Sequence, residues 1–152
     1  MERQELTWEE IEGYLKKELK KTKHIMTFGT IGSLNLEHDI DVIITKKPKS
    51  KSSDFYIEVH KIFYGIDNFL KNNFGFKIVR FSRLSDEFII KNIINSKNKI
   101  FFHSMIYVSF SQIEKDWAWS IFPNEDIKKI IKKNYKCLFG KVEDIFSNEF
   151  KK

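Results

Sequence analysis

The chain has one cysteine, Cys137, and only three arginines, and no apolar run long enough to cross a bilayer. Each scarcity excludes something. A lone thiol cannot close an internal disulfide, so the fold must hold without one, as suits a reducing compartment. Cys137 falls in a stretch that reads as helical with no evident histidine partner. It therefore reads as an inert thiol, because thiolate chemistry needs an activating group. A membrane-spanning helix needs roughly 20 successive apolar residues, and none occurs. The opening MERQELTWEE is acidic and lacks the apolar segment of a secretion signal. The expectation is a cytoplasmic protein with no membrane partner. Internal repeats are lacking too. The one low-complexity patch, TKKPKSKSSD at 45–54, reads as an exposed loop.

What remains is a globular composition. The chain has 152 residues, 41% of them apolar, with 15 phenylalanines. That length predicts one domain, 1–152, with a core at about 6–110 and a C-terminal helix at 124–139. The net charge is +6, almost all of it from lysine. Solubility accounts for such a charge, and so does a polyanionic partner such as RNA, DNA or a nucleoside triphosphate. The abundance of Lys, Ile, Asn and Phe also suits AT-rich codons.

Periodicity outlines the elements. Thr7 and Glu10 form a capping box ahead of a stripe of Trp8, Ile11, Leu15 and Leu19, which predicts a helix. HIMTF (24–28) reads as a strand ended by Gly29 and Gly32. DIDVIIT (39–45) is a second strand, rich in β-branched residues. A long helix follows, with Phe55, Val59, Ile62, Phe63, Ile66 and Leu70 inward and Gly75 as its stop. FKIVRFS (76–82) reads as a strand. Ser85 then caps a short predicted helix carrying Phe88, Ile89, Ile93 and Ile94. KIFFHSMIYVSF (99–110) reads as a central strand, apolar on both faces. The resulting expectation is α+β, with a small mixed sheet of about four to five strands and helices packed on one face.

The chemistry concentrates in FGTIGSLNLEHDIDVIIT, 28–45. Asp39 and Asp41 are two apart on a strand, so they share a face, while Ile40, Val42 and Ile44 take the other. Two adjacent carboxylates repel and are costly to desolvate, and a divalent cation offsets that cost. Mg²⁺ favours one or two carboxylates together with phosphate oxygens. A Gly29-Thr30 turn upstream would offer backbone N–H groups and a hydroxyl to a phosphate. The alternative is a hairpin whose polar residues are merely solvated.

This segment resembles the signature of the polymerase-beta-like nucleotidyltransferase superfamily. The signature pairs an apolar residue, Gly, and Gly or Ser with an acid–apolar–acid triplet that leads a strand. Phe28-Gly29-Thr30 matches the first part, and Asp39-Ile40-Asp41 the second. A second alignment uses Gly32 and Ser33, with a spacer of only five residues before Asp39. The resemblance implies a nucleotidyltransferase-like fold and transfer of a nucleoside monophosphate from an NTP to a hydroxyl acceptor. It implies that Gly29 and Thr30 hold the triphosphate, and that Asp39 and Asp41 are the catalytic acids and bind Mg²⁺ (or Mn²⁺). The net charge points to a nucleic-acid end as the acceptor.

One departure stands out. The family usually carries a third carboxylate on a later central strand, and neither KIVRFS nor KIFFHSMIYVSF contains one. Alternation puts His103 on the more polar face, near the place expected for that acid. His103 is therefore a candidate further metal ligand, though imidazole suits transition metals better than Mg²⁺. Glu58, Asp86, Glu87, Glu114 and Asp116 are other sources of an acid. Arg80 is a candidate phosphate contact. Lys128, Lys129, Lys132, Lys133 and Lys136 form a basic stripe on the predicted last helix, and Trp117 and Trp119 could stack on a base. The alternative function is a catalytically inactive member of the same fold, serving as a nucleotide-binding subunit or one that binds a protein partner or nucleic acid.

Overall fold

The computed structural model describes residues 6–31, 40–82, 87–92, 99–107, 110–117 and 127–146, with side chains outside 76–101 and 116–117. Helix α1 (Trp8–Leu19) starts at Thr7 as the sequence predicts. The Thr7 hydroxyl donates to the Glu10 carboxylate at 3.2 Å, so the two ends of the capping box bond to each other. Trp8, Ile11, Leu15 and Leu19 are all buried. Helix α2 (Ser52–Phe74) buries the predicted stripe and ends at Gly75, whose φ of 75° is the left-handed conformation that favours glycine at a helix stop.

The strands are β1 (Ile25–Ile31), β2 (Ile40–Lys46), β3 (Phe76–Ser82), β4 (Glu87–Asn92), β5 (Lys99–Tyr107) and β6 (Tyr135–Phe139). They form one sheet in the order β3-β4-β5-β2-β1-β6. Neighbours are antiparallel except β2 and β5, which are parallel. A parallel pair needs a long crossover, and here α2, β3 and β4 supply it. The fold is thus α+β with a mixed sheet, as expected, but with six strands rather than four or five.

Two helical expectations are overturned. The segment after Ser85 is strand β4, not a helix. The predicted helix 124–139 is helical only over α4 (Ile127–Asn134), and its last part is β6, paired with β1. The first part of that prediction, 124–126, lies outside the described residues. In both segments the apolar spacing tolerated either structure, and pairing with a distant strand decided the outcome.

Helices also cover both faces, not one. On one face α1 and α2 pack on Ile40, Val42 and Ile44 of β2 and on Phe28 and Phe102. Phe63 sits between those two rings, with centroids 6.3 Å and 6.0 Å away. Burying each such side chain contributes about 1.5–3 kcal/mol. On the other face Ile43, Tyr107 and Tyr135 pack with Ile113 of α3 (Phe110–Trp117), Ile130 and Ile131 of α4, and Ile145 of a 3₁₀ turn (Val142–Ile145). The C-terminal segments therefore complete a second core. The lysine-rich patch is also less open than its composition suggests. Lys46 is only 8% exposed, and its ammonium donates to the carbonyls of Lys47 at 2.9 Å and Ser50 at 2.6 Å.

Strand β6 is tied to α1 by Glu12. Its carboxylate accepts from Lys136 at 2.7 Å, from Lys16 at 2.9 Å and from the Trp8 indole at 2.9 Å. The Lys136 hydrogen bond, with that of Lys16 next, holds its pKa down to about 2. A depressed carboxylate contributes stability that is present above its unfolded pKa of 4.5 and is lost as pH falls toward 2. Glu12→Gln should therefore cost about 1–2 kcal/mol at pH 7. Urea unfolding should show the gap between variant and wild type shrinking as pH drops from 4.5 toward 2; a gap independent of pH would contradict the assignment.

Candidate functional site

Strand β2 begins at Ile40, so Asp41 lies in its first pleat. Asp41 is half-buried, whereas Ile40, Val42 and Ile44 are sealed beneath α1 and α2. The alternation expected from DIDVII is therefore present. Asp41 shares its face with Ile43 and stands one step beyond the second core, at the head of the strand.

Register fixes its neighbours. Asp41 pairs with Ile31 on β1 and with His103 on β5. His103 in turn pairs with Glu87 on β4, Glu87 with Ser82 on β3, and Ile31 with Tyr135 on β6. One row thus crosses all six strands: Ser82, Glu87, His103, Asp41, Ile31, Tyr135. Strand β5 is interior, and His103 is half-buried in the position where the sequence leads one to look for a third acid.

The glycine-hydroxyl pair behaves otherwise than predicted. Gly29 and Thr30 form no turn. They lie inside β1, with β2 on one side and β6 on the other, Gly29 opposite Ile43 and Cys137, and Thr30 opposite Val42 and Lys136. A Cβ on Gly29 would collide with the Tyr135 ring and come within 2.5 Å of the Lys136 carbonyl oxygen. The glycine is there because a tyrosine ring covers it. That ring is buried, and its hydroxyl donates to the Ile43 carbonyl at 3.1 Å. Burial pushes the phenol well above its ordinary pKa.

Thr30 is opposite Val42, so its side chain belongs to the α1/α2 face, away from Asp41. It is 1% exposed and its hydroxyl has no hydrogen-bond partner. Gly29 is plugged and Thr30 faces the wrong core, so this pair does not gather around Asp41. The other glycine-hydroxyl pair, Gly32 and Ser33, follows directly where β1 ends at Ile31. Gly32, Ser33 and Asp39 lie outside the described residues.

The remaining candidates separate. Arg80 is in β3, the edge strand three places from β2, which at about 4.8 Å per strand is roughly 14 Å of backbone separation. Glu58 is occupied elsewhere: its carboxylate accepts the backbone N–H groups of Lys23 at 2.7 Å and His24 at 2.8 Å, steering the chain into β1. Glu114 is exposed on α3. Asp86 and Trp119 lie outside the described residues, as do the side chains of Asp116 and Trp117. Of the basic stripe, Lys128, Lys129, Lys132 and Lys133 are exposed on α4, but Lys136 is on β6 and bonded to Glu12. Lys128 and Lys132 stand over the Phe146 ring, 5.3 Å and 5.5 Å from its centroid. Cys137 donates to the Phe139 and Gly140 carbonyls at 3.2 Å, and burial raises its pKa, which keeps the thiol protonated and unreactive.

The sequence does not single out Glu87 from the other acids. Its segment reads as a helix, and only the pairing of β4 with β5 sets it beside His103.

Among the described residues no group of three His, Cys, Asp or Glu is placed to hold a metal, and no helix is long and apolar enough to cross a membrane. Comparison with known proteins finds no matching family model, no matching characterised protein and no matching solved structure.

Proposed function

We propose that the chain is a nucleotidyltransferase-like protein that takes up a nucleoside triphosphate at the head of β2. The observation that supports this is the half-buried Asp41 at the start of β2, beside the end of β1, with His103 on the adjoining parallel strand. Because β1 and β2 are antiparallel, the chain leaves the sheet at Ile31 into Gly32-Ser33 and re-enters from Asp39 into Ile40. The hairpin thus brings the two ends of the motif to one edge, although the pair that serves it is Gly32-Ser33, not Gly29-Thr30.

In this reading Asp39 and Asp41 hold the divalent ion that accompanies the triphosphate. Such an ion neutralises phosphate charge and orients the α-phosphate toward an attacking hydroxyl. The described donors, one carboxylate and one imidazole, are not by themselves the all-oxygen set that Mg²⁺ prefers. The acceptor that the +6 charge favours is a nucleic-acid end. A cytoplasmic location accords with the single cysteine.

A second reading has its own observation. Asp41's parallel neighbour is a histidine where the catalytic acid of the resembled family would stand. That substitution favours a protein which binds nucleotide and serves a protein or nucleic-acid partner without transfer. Pyrophosphate release decides between them. Transfer predicts metal-dependent release from an NTP in the presence of an RNA or DNA acceptor, reduced at least about a hundredfold by Asp41→Asn. Binding of NTP with no release above the Asp41→Asn background supports the non-catalytic reading instead.

A further inference from the structure

Three successive strands carry metal-competent residue types at matched positions: Glu87 on β4, His103 on β5 and Asp41 on β2. Strands are about 4.8 Å apart, and directly opposed positions share a face with Cβ atoms about 4.5–5.5 Å apart. Three adjacent positions at that spacing can supply donors to one ion at bond lengths near 2.0–2.2 Å. The row lies at the margin of the second core, where Asp41 and His103 are half-buried. A site there is partly desolvated yet reachable from solvent.

The donor types decide the metal. A hard oxygen set holds Mg²⁺, but imidazole adds little to it, whereas imidazole with carboxylates suits the divalent transition ions. We infer that the Glu87–His103–Asp41 row is a divalent transition-metal site, with His103 as the ligand that selects Mn²⁺ or Zn²⁺ over Mg²⁺. Histidine then has a positive role in the row, as the residue that chooses the ion. The inference shares Asp41 with the proposed nucleotide site but does not depend on nucleotide.

The test is isothermal titration of the untagged full-length protein with MnCl₂, ZnCl₂ or MgCl₂ alone. Wild type should bind Mn²⁺ and Zn²⁺ at about one equivalent, at least tenfold tighter than Mg²⁺. His103→Asp should erase most of that preference by strengthening Mg²⁺ and weakening Zn²⁺. Glu87→Gln should weaken all three at least about tenfold, with its metal-free melting temperature unchanged. Should His103→Asp fail to fold, His103→Gln carries the same expectation for loss of Zn²⁺. Equal affinities for Mn²⁺ and Mg²⁺ in wild type, or an undiminished preference in both His103 variants, would overturn the inference. Selective metal binding without any NTP effect would leave the metal site standing and remove the nucleotide reading.

Discussion

Gly29→Ala is expected to cost the fold about 2–3 kcal/mol, a large effect for one added methyl group. Glycine in a strand is ordinarily a weakness, since it packs nothing and is entropically costly. Replacing it would normally help. Here the new Cβ meets the Tyr135 ring, with the ring's Cε1 at 2.7 Å and the Lys136 carbonyl oxygen at 2.5 Å. The ring is held by its hydrogen bond to Ile43 and by the second core, and the carbonyl belongs to the strand paired with β1. Truncating Tyr135 would relieve the ring contact but not the carbonyl one, so Gly29→Ala with Tyr135→Ala should remain destabilised. Urea midpoints measure this directly. A phosphate-holding turn at Gly29 would give the opposite pattern, with stability kept and NTP binding lost.

The second large effect concerns the acids. Asp39→Ala combined with Asp41→Ala should remove metal-dependent NTP binding while leaving the fold intact. Asp41 is half-buried at a strand head, outside both cores, so its loss opens no large cavity. Relief of carboxylate repulsion offsets part of any lost hydrogen bonding. Calorimetry with a Mn²⁺-loaded NTP should show affinity falling by at least about a hundredfold, or 2.7 kcal/mol. A double variant that binds as wild type does would place the triphosphate elsewhere.

Several elements were legible in the sequence because local pattern and tertiary environment agree. The stripe of α1 and that of α2 each face a core, and β2 alternates between an apolar face and Asp41. His103 was legible as the residue sharing a face with the acids, because alternation along β5 is regular. Where reading failed, the deciding contact was distant in sequence. The apolar run of β4 is too short for its period to separate strand from helix, and only β3 and β5 beside it settle the matter. The segment after α4 keeps helical spacing, yet Tyr135–Phe139 pairs with β1 as the sheet's last strand. Gly29 read as a turn because glycine usually marks one. Its reason is a tyrosine ring from β6, which no local pattern reveals. The expectation of one covered face failed for the same cause, since the second core is built from the C-terminal third of the chain.

The most direct measurement is a thermal-shift screen of the wild-type protein with each of the four NTPs in Mg²⁺ or Mn²⁺. Binding at the head of β2 predicts stabilisation of about 2.7 kcal/mol by at least one NTP at a hundredfold excess over its Kd, dependent on the metal and greater in Mn²⁺ than in Mg²⁺. An unchanged melting temperature across every NTP and both metals would contradict it.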